Sequence, residues 1–254
     1  MAEFFGTAND DDLIGTGSAD TIKGGDGNDD IQGGGGSDHL KGDVGDDVIS
    51  GGPGGDLVEG GEGRDTVLGG SGDDTVRGND GNDDLSGGVG NDVIDGGNGN
   101  DKMFGGQGND KIFGGAGNDK MSGGDGADRL EGGAGNDRLS GGGGGDVLDG
   151  GQGKDILDGG EGADMLTGGA GADTFIFHDG GGRDTFVDFT TGGASDTLQL
   201  SNKLFDAPMS AEDVIDMYGT VIDGVAALDF GDGDMIIFQN MTDLSDLAGH
   251  IEFI

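Results

Sequence analysis

The chain has 254 residues, and its 52 Asp and Glu against 12 Lys and Arg give a formal net charge of −40. A surface of this sign excludes nucleic acid and anionic membranes as partners and suits small hard cations. The chain contains 66 Gly and no Cys, which excludes disulfides, thiolate metal sites and a Cys nucleophile.

A nine-residue repeat argues against the disorder that acidic, Gly-rich chains usually show. The pattern G-G-x-G-x-D-x-U-x, in which U is apolar, occurs 18 times without insertion over residues 15–176, and residues 6–14 form a degenerate nineteenth copy. The eighth position is apolar in every copy, from Leu13 to Phe175. The sixth position is always Asp, namely Asp11, Asp20, Asp29, Asp38, Asp47, Asp56, Asp65, Asp74, Asp83, Asp92, Asp101, Asp110, Asp119, Asp128, Asp137, Asp146, Asp155, Asp164 and Asp173. An unbroken phase of this kind predicts an ordered solenoid.

The period predicts a coil of alternating strands and turns. D-x-U is too short for a helical turn but can form a short strand, in which U points inward and positions 7 and 9 point outward. The six residues G-G-x-G-x-D form the turn, where Gly tolerates positive φ. Two repeats, or 18 residues, close one coil, so successive repeats alternate between two sheets. At about 4.8 Å per coil, the rod is about 45 Å long.

The nonapeptide resembles that of the RTX (repeats-in-toxin) proteins, and the resemblance covers about two thirds of the chain. It implies an all-β fold, a right-handed parallel β-roll solenoid, with Ca²⁺ bound between stacked turns. The Asp at position 6 and carbonyls at positions 1 and 3 come from one turn, and carbonyls at positions 2 and 4, with the next Asp, come from the turn above. The implied ligands are therefore the nineteen aspartates, in one row beginning with Asp20 and Asp38 and another with Asp29 and Asp47. The backbone carbonyls implied beside them include those of Gly24, Gly25, Gly27, Gly105, Gly106, Gly108, Gly114, Gly115 and Gly117.

The number of turns sets an upper limit on the number of ions. Nineteen repeats leave up to about 17 gaps between stacked turns, and 17 Ca²⁺ would carry +34 against the chain charge of −40. The alternative is that these aspartates are ordinary turn formers, but it predicts scattered Asp, Asn and Ser, and position 6 is invariant. We expect weaker binding where Gly is replaced, by Thr16 and Ser18 in one turn and by Asp43 and Asn79 at position 2 of two others.

Basic residues occupy the outward position 7 of five successive repeats: Lys102, Lys111, Lys120, Arg129 and Arg138. Because repeats alternate between sheets, three of them belong to one row and two to the other. The rows are either solubilising charge on exposed sheets or a basic stripe for a polyanionic glycan or another copy of this acidic chain.

Apolar residues follow the basic ones at outward positions: Val147, Ile156, Met165 and Ile176. Large apolar side chains in solvent mark contact surfaces, so we expect the C-terminal segment to cover some of them. Phe104 and Phe113, at position 9 of successive repeats, are predicted outward aromatics and candidate contact points.

The nine-residue register is lost after Ile176, where Gly thins out and Phe becomes common. We therefore predict two domains, the calcium-binding roll at residues 1–176 and a mixed, mainly β C-terminal capping and secretion-signal region at residues 177–254. Ser210 is predicted to cap a helix, residues 221–230 and 235–239 a hairpin, and Thr242 to begin a short helix ending at Ala248. Residues 183–186 and 196–200 echo the repeat.

The D-T-F-x-F and V-x-D-F patterns and the acidic-then-apolar chain end resemble the C-terminal region of RTX proteins that Gram-negative bacteria export by type I secretion. The resemblance implies an uncleaved C-terminal signal, the type I secretion machinery as a partner, and a secreted, extracellular or cell-surface location. The first residues agree with this, because they lack the basic and apolar regions of a Sec-type signal. A terminal segment must also cap a solenoid, and the two roles are compatible.

No enzyme is predicted. HExxH and GxSxG are absent, the three His lie far apart in sequence, and the repeats begin at Gly6, which leaves no room ahead of them for a catalytic domain. No apolar run approaches the roughly 20 residues of a membrane span. Two functions remain, namely a secreted Ca²⁺-binding structural protein of the cell surface or matrix that can assemble with itself, and a Ca²⁺-dependent adhesin or glycan-binding module serving a separately encoded partner.

Overall fold

A computed structural model describes residues 2–205 and 208–254. Met1 of the predicted roll domain and Asp206 and Ala207 of the predicted C-terminal region lie outside the described residues. The chain forms a parallel β-solenoid of two sheets that ends in a short helix and a mixed sheet portion, as the nine-residue period predicted. The strands are β1(Glu3–Phe5), β2(Asp12–Ile14), β3(Thr21–Asp26), β4(Asp30–Gln32), β5(His39–Val44), β6(Val48–Pro53), β7(Leu57–Glu62), β8(Thr66–Ser71), β9(Thr75–Asp80), β10(Asp84–Val89), β11(Val93–Asn98), β12(Lys102–Gln107), β13(Lys111–Ala116), β14(Lys120–Asp125), β15(Arg129–Ala134), β16(Arg138–Gly144), β17(Val147–Gly153), β18(Ile156–Gly162), β19(Met165–Gly171), β20(Thr174–Phe177), β21(Arg183–Phe186), β22(Thr197–Leu200), β23(Gly219–Ile222), β24(Val225–Gly231), β25(Asp234–Phe238) and β26(Ile251–Phe253).

Successive repeats alternate between the two sheets. The odd-numbered strands from β1 to β21 lie in a 14-stranded sheet and the even-numbered strands from β2 to β22 in a 12-stranded one. Each strand pairs in parallel with the strand two repeats later, so that Met103 lies opposite Met121. This confirms the prediction that two repeats close one coil.

The strands are longer than the three residues predicted. Most run from position 7 of one repeat to position 3 of the next, and the parallel pairing continues through the glycines, for example from Gly88 to Gly106. Identical turns stacked in register place each backbone N–H opposite a carbonyl of the next turn, which satisfies both groups. The chain bends at Gly106 and Gly108, where φ is +119° and +124°.

The core is a single file of apolar residues in each sheet. The position-8 side chains from Ile22 to Phe175 are fully buried apart from Met121, which is 4% exposed. Their neighbours at positions 7 and 9 point outward as predicted, although Phe113 is half-buried while Phe104 is 44% exposed. Core thickness is thus one side chain per sheet.

Coiling continues beyond the last regular repeat. Strand β21 pairs with β19 and β22 with β20, after which β25 and β26 add one more parallel strand to each sheet. Parallel strands therefore run across the predicted boundary between residues 176 and 177, and a division into two domains there remains a proposal. Of the outward apolar residues, Ile176 is buried here, whereas Met165 stays 48% exposed.

Packed phenylalanines fill the C-terminal end of the core. Phe186 lies between Phe175 and Phe238, with ring centroids 4.7 and 5.7 Å away, and Phe189 lies 5.3 Å from Phe238. All four rings are buried. The Phe-rich segment thus closes the apolar interior at this end, where a solenoid otherwise exposes it.

The local predictions for this segment hold in part. The helix α1(Ala211–Tyr218) begins at Ser210 with the predicted cap, a capping box completed by Asp213. The predicted hairpin around residues 231–234 is confirmed, since β24 and β25 pair in antiparallel orientation. Its first strand begins at Val225 instead of Val221, because a tight turn at Asp223, whose φ is +52°, places residues 219–222 in the separate strand β23.

The predicted helix from Thr242 to Ala248 is also wrong. A 3-10 helix spans Leu247–His250 instead. Asp243 accepts hydrogen bonds from the backbone and side chain of Ser245, and such local bonds compete with a helix start. Within the described residues, no helix is long and apolar enough to cross a membrane.

Candidate metal centres between stacked turns

The aspartates predicted as ligands lie in two straight rows, one along each edge of the solenoid. Those from Asp20 to Asp173 are buried, with no more than 3% of their surface exposed, and only Asp11 at the first turn is half-buried. Isolated carboxylates are seldom buried unless they are paired or coordinate a metal. The rows therefore call for a partner for each carboxylate.

One oxygen of each carboxylate is used to join successive coils. Oδ1 of Asp128 accepts the backbone N–H of Asp110 at 2.8 Å, and Oδ1 of Asp110 accepts that of Asp92 at 2.8 Å. The same bond recurs along both rows from Asp29 and Asp38 onward, in each case from an Asp N–H to the aspartate one coil later. At the first turn of the row that begins with Asp20, Oδ1 of Asp20 accepts the N–H of Ala2 instead. Each aspartate thus fixes the stacking of its turn on the preceding one.

The other oxygen is buried and has no hydrogen-bond partner among the described residues. This holds for Oδ2 of sixteen aspartates, namely Asp29, Asp38, Asp47, Asp56, Asp65, Asp74, Asp83, Asp92, Asp101, Asp110, Asp119, Asp128, Asp137, Asp146, Asp155 and Asp164. A buried polar atom without a partner costs about 1 to 3 kcal/mol, and more when it is charged. A bound cation is the partner that such a row of oxygens fits.

Backbone carbonyls meet these oxygens in the inter-turn gap, the space between turns of successive coils on one edge. A β-carbon built on Gly33 would lie 2.6 Å from Oδ2 of Asp38 and 2.7 Å from the carbonyl oxygen of Gly51 in the next coil. The predicted position-1 residues Gly24, Gly105 and Gly114 have the same surroundings. Only Gly leaves this space open.

Carbonyls at positions 2 and 4 face the same gap from the earlier coil. The oxygen of Gly106 points at Gly124 and that of Gly108 at Gly126, and the pairs Gly25, Gly27 and Gly115, Gly117 have the same places in their turns. Each gap thus combines carboxylate and carbonyl oxygens from two turns, the oxygen-only donors that Ca²⁺ takes six to eight at a time. No group of three or more acidic or His side chains that could hold a metal occurs in the described part of the chain, since most donors in the gap belong to the backbone.

Burial raises the pKa of the row aspartates from Asp29 onward above its ordinary value. Burial raises the pKa of Asp65 to about 7, although the hydrogen bond that its carboxylate accepts from the N–H of Asp47 lowers it. Desolvation favours the protonated carboxyl, whereas a divalent cation in the gap favours the carboxylate. The metal-free turns are therefore strained electrostatically at neutral pH.

Two further aspartates extend the rows and are not among the nineteen predicted ligands. Asp184 accepts the N–H of Asp164 at 3.1 Å, and Asp196 accepts that of Asp173 at 2.9 Å. They were missed because the spacing rises from 18 residues to 20 and 23. The surviving signal is D-x-U itself, with an apolar side chain two residues after each Asp.

Two more carboxylates close the exposed turns at this end. Asp188 accepts the N–H groups of Gly168 and Gly169, both at 2.8 Å. Asp234 accepts those of Gly180 and Gly182 at 2.9 and 3.0 Å. These N–H groups have no later turn whose carbonyl could accept them, so a side-chain carboxylate accepts them instead.

Comparison with known proteins places the repeat in a family. No curated protein sequence matches the chain. Among solved structures, the extracellular lipase LipA from Serratia marcescens is 20% identical over 77% of this chain and 39% of its own, with a TM-score of 0.33, a likeness too weak to carry an argument. The chain thus spans well under half of that lipase. The profile described as RTX calcium-binding nonapeptide repeat (4 copies) matches overlapping windows that together cover residues 5–186. The chain belongs to the family of RTX calcium-binding nonapeptide-repeat proteins.

Proposed function

We propose that the chain is a secreted, non-enzymatic Ca²⁺-binding protein whose folding is driven by ions held in the inter-turn gaps, and that it serves as a structural component of the cell surface or matrix. The nineteen repeat aspartates and the turn carbonyls beside them are the proposed ligands. The observation that carries this is the set of sixteen buried Oδ2 atoms without a partner among the described residues.

Coupling between binding and folding follows from where these oxygens lie. The gaps exist only when successive turns are stacked, so the free energy of binding is folding free energy. Without a cation, each stacked turn buries a carboxylate oxygen that water would otherwise solvate. A Ca²⁺ in the gap supplies the missing partner and neutralises like charges that follow each other coil by coil.

Export through the type I machinery and a location outside a Gram-negative cell remain proposals from the resemblance of the C-terminal region. The packing of Phe186 and Phe238 over the end of the core supports a capping role for the same region. A chain that folds only where Ca²⁺ is abundant stays unfolded in the cytosol, which suits export of an unfolded chain.

A Ca²⁺-dependent binding module is the second candidate, and one surface favours it. Lys102, Lys120 and Arg138 lie in register on adjacent strands of one sheet. Lys102 pairs with Asp84 at 3.0 Å and lies 5.4 Å from the ring centroid of the exposed Phe104. In a chain of net charge −40, such a row suits a polyanionic glycan or an acidic face of a second copy.

Electron microscopy with Ca²⁺ separates the candidates, because self-assembly gives filaments or lattices and a binding module gives single rods.

Circular dichroism tests the main proposal. The full chain in EDTA should be largely disordered, and it should become β-rich in a steep titration at sub-millimolar to millimolar Ca²⁺. Mg²⁺ at the same concentrations is the control, since it demands a smaller, octahedral site. A β-rich spectrum that is the same in EDTA and in Ca²⁺ would refute the proposal.

A further inference from the structure

Three carboxylates in the two rows differ from the sixteen whose Oδ2 has no partner among the described residues, because a threonine bonds to that oxygen. Oδ2 of Asp20 accepts both the N–H and the hydroxyl of Thr16, each at 2.7 Å. Oδ2 of Asp11 accepts the same two groups from Thr7 at 2.6 and 2.9 Å. Oδ2 of Asp196 accepts them from Thr190 at 2.7 and 3.1 Å; there the threonine lies six residues before the Asp instead of four.

These three carboxylates lie at the ends of the rows. Asp11 and Asp196 are the first and last members of one row, and Asp20 is the first member of the other. Asp184 is the last member of that other row, and among the described residues it accepts no such pair of bonds from a threonine. An end turn has a neighbouring turn on one side only, whereas every inner turn lies between two. A solenoid needs a different solution at its ends from the one it repeats inside.

Two successive turns of one row show the change directly. Residues 15–20 read G-T-G-S-A-D and residues 33–38 read G-G-G-G-S-D, and Oδ1 of Asp38 accepts the N–H of Asp20 at 2.7 Å. A β-carbon built on Gly33 meets Oδ2 of Asp38 at 2.6 Å, but the three nearest atoms to the same point on Gly15, the farthest at 3.2 Å, include no atom of Asp20. Oδ2 of Asp20 is bonded to Thr16, whereas Oδ2 of Asp11, although bonded to Thr7, still lies 2.9 Å from the corresponding point on Gly6.

Loss of Gly at position 2 does not by itself cause this change. Asp43 and Asn79 also replace that Gly, yet they keep positive φ values of 79° and 78°. In their turns Oδ2 of Asp47 and of Asp83 stays without a partner among the described residues. Thr is β-branched and avoids positive φ, and its hydroxyl is the added donor, so Thr both changes the turn and satisfies the carboxylate.

We propose that Thr7, Thr16 and Thr190 are terminators of the calcium rows, whose N–H and hydroxyl groups take the place of an ion at Asp11, Asp20 and Asp196. The gap between Asp20 and Asp38 then holds no Ca²⁺, whereas the gap between Asp38 and Asp56 holds one. This inference rests on the proposed function, since it assigns ions to the gaps with an unpartnered Oδ2, and it removes Asp11 and Asp20 from the nineteen repeat aspartates proposed there as ligands.

Native mass spectrometry of the full chain counts bound Ca²⁺ one by one and tests the assignment with neighbouring variants. Asp20→Asn should bind as many ions as the wild type, and Asp38→Asn one ion fewer. In both variants Asn keeps the oxygen that accepts the N–H bond between coils, although the amide nitrogen that Asp20→Asn introduces cannot accept the N–H of Thr16. An equal loss of ions in both variants would overturn the inference.

A gain of an ion is the stronger test. Thr16→Gly with Ser18→Gly turns residues 15–20 into G-G-G-G-A-D, almost identical to residues 33–38, and should add one Ca²⁺. Adding Asp20→Asn to that variant should remove the gained ion, and Thr16→Ser, which keeps the hydroxyl, should leave the wild-type count. Circular dichroism in Ca²⁺ confirms that each variant is folded. An unchanged count in the folded double-Gly variant overturns the inference, whereas a wild type that binds no Ca²⁺ overturns the proposed function itself.

Discussion

Acidification should fold the metal-free chain. In EDTA at about pH 7.5 the aspartates of the unfolded chain are ionised and solvated, and stacking would bury them without a partner, so we expect disorder. At about pH 4.5 the folded form takes up protons that the unfolded chain does not. Because burial raises the pKa of these carboxyls in the folded state, their full contribution to stability is present below about pH 4 and is lost as the pH rises through about 6 to 8. Stability of the metal-free form thus increases as the pH falls.

The structure gives the steepness of this response. Eight carboxyls have a folded-state pKa of about 6 or more: Asp65 at about 7, Asp184 at about 8, and Asp74, Asp83, Asp119, Asp137, Asp146 and Asp173 at about 6. At about pH 5 all eight are protonated in the folded chain and ionised in the unfolded one. Each contributes about 1.4 kcal/mol per pH unit, so the set changes stability by on the order of 10 kcal/mol per pH unit. The transition should be complete within about one pH unit.

Far-ultraviolet circular dichroism from about pH 7.5 to 4 in EDTA measures this, with sedimentation to confirm that the folded species is monomeric near the isoelectric point of about 4.1. The Ca²⁺-loaded chain is the matched control and should respond with the opposite sign, because protons displace the ions from the carboxylates. A metal-free chain that stays disordered at every pH would refute the electrostatic account of the rows.

Three further predictions concern single residues. Asp110→Ala should lose more bound Ca²⁺ in calorimetry than Asp11→Ala, because Oδ2 of Asp110 is unpartnered among the described residues whereas that of Asp11 is bonded to Thr7; equal losses would contradict this. Phe186→Ala should lower the free energy of unfolding in urea and saturating Ca²⁺ by about 3 to 5 kcal/mol, while Phe104→Ala, at an exposed site, should change it by less than about 0.5 kcal/mol. Similar effects of the two would refute the capping role. Asn79→Gly should stabilise the loaded chain by about 0.5 kcal/mol in the same assay, since relief of positive φ outweighs the entropy of Gly; a loss of stability would argue that the Asn side chain holds the turn.

Much of the fold was predictable because one short pattern is repeated with a fixed phase. The periodic apolar residue gave the inward face, and the period of nine gave the alternation of sheets that β12 and β14 display. Strand length was not predictable in this way. Pairing through the glycines depends on how one turn stacks on the next, and the nine residues of one repeat do not determine that stacking.

The ends of the rows were harder to predict than their middle. Asp184 and Asp196 continue the rows after insertions that break the register, and their contacts with Asp164 and Asp173 depend on the folded path. Thr16 was noticed as a departure from Gly, together with Asp43 and Asn79, and all three were expected to weaken binding. The structure distinguishes them by φ and by hydrogen bonds, which a single sequence does not contain.

The stability of this solenoid resides in its turns more than in its core. Only one residue in nine of the repeat is buried and apolar, the chain loses backbone entropy along its whole length, and the sheets contribute no second layer of side chains. Against this, sixteen divalent ions would bring +32 to a chain of −40 and give a partner to each of the sixteen Oδ2 atoms that lack one among the described residues. Under the proposed function every such ion would join two successive coils, so ions along both edges would bind as a set and Ca²⁺ concentration would decide whether the rod forms.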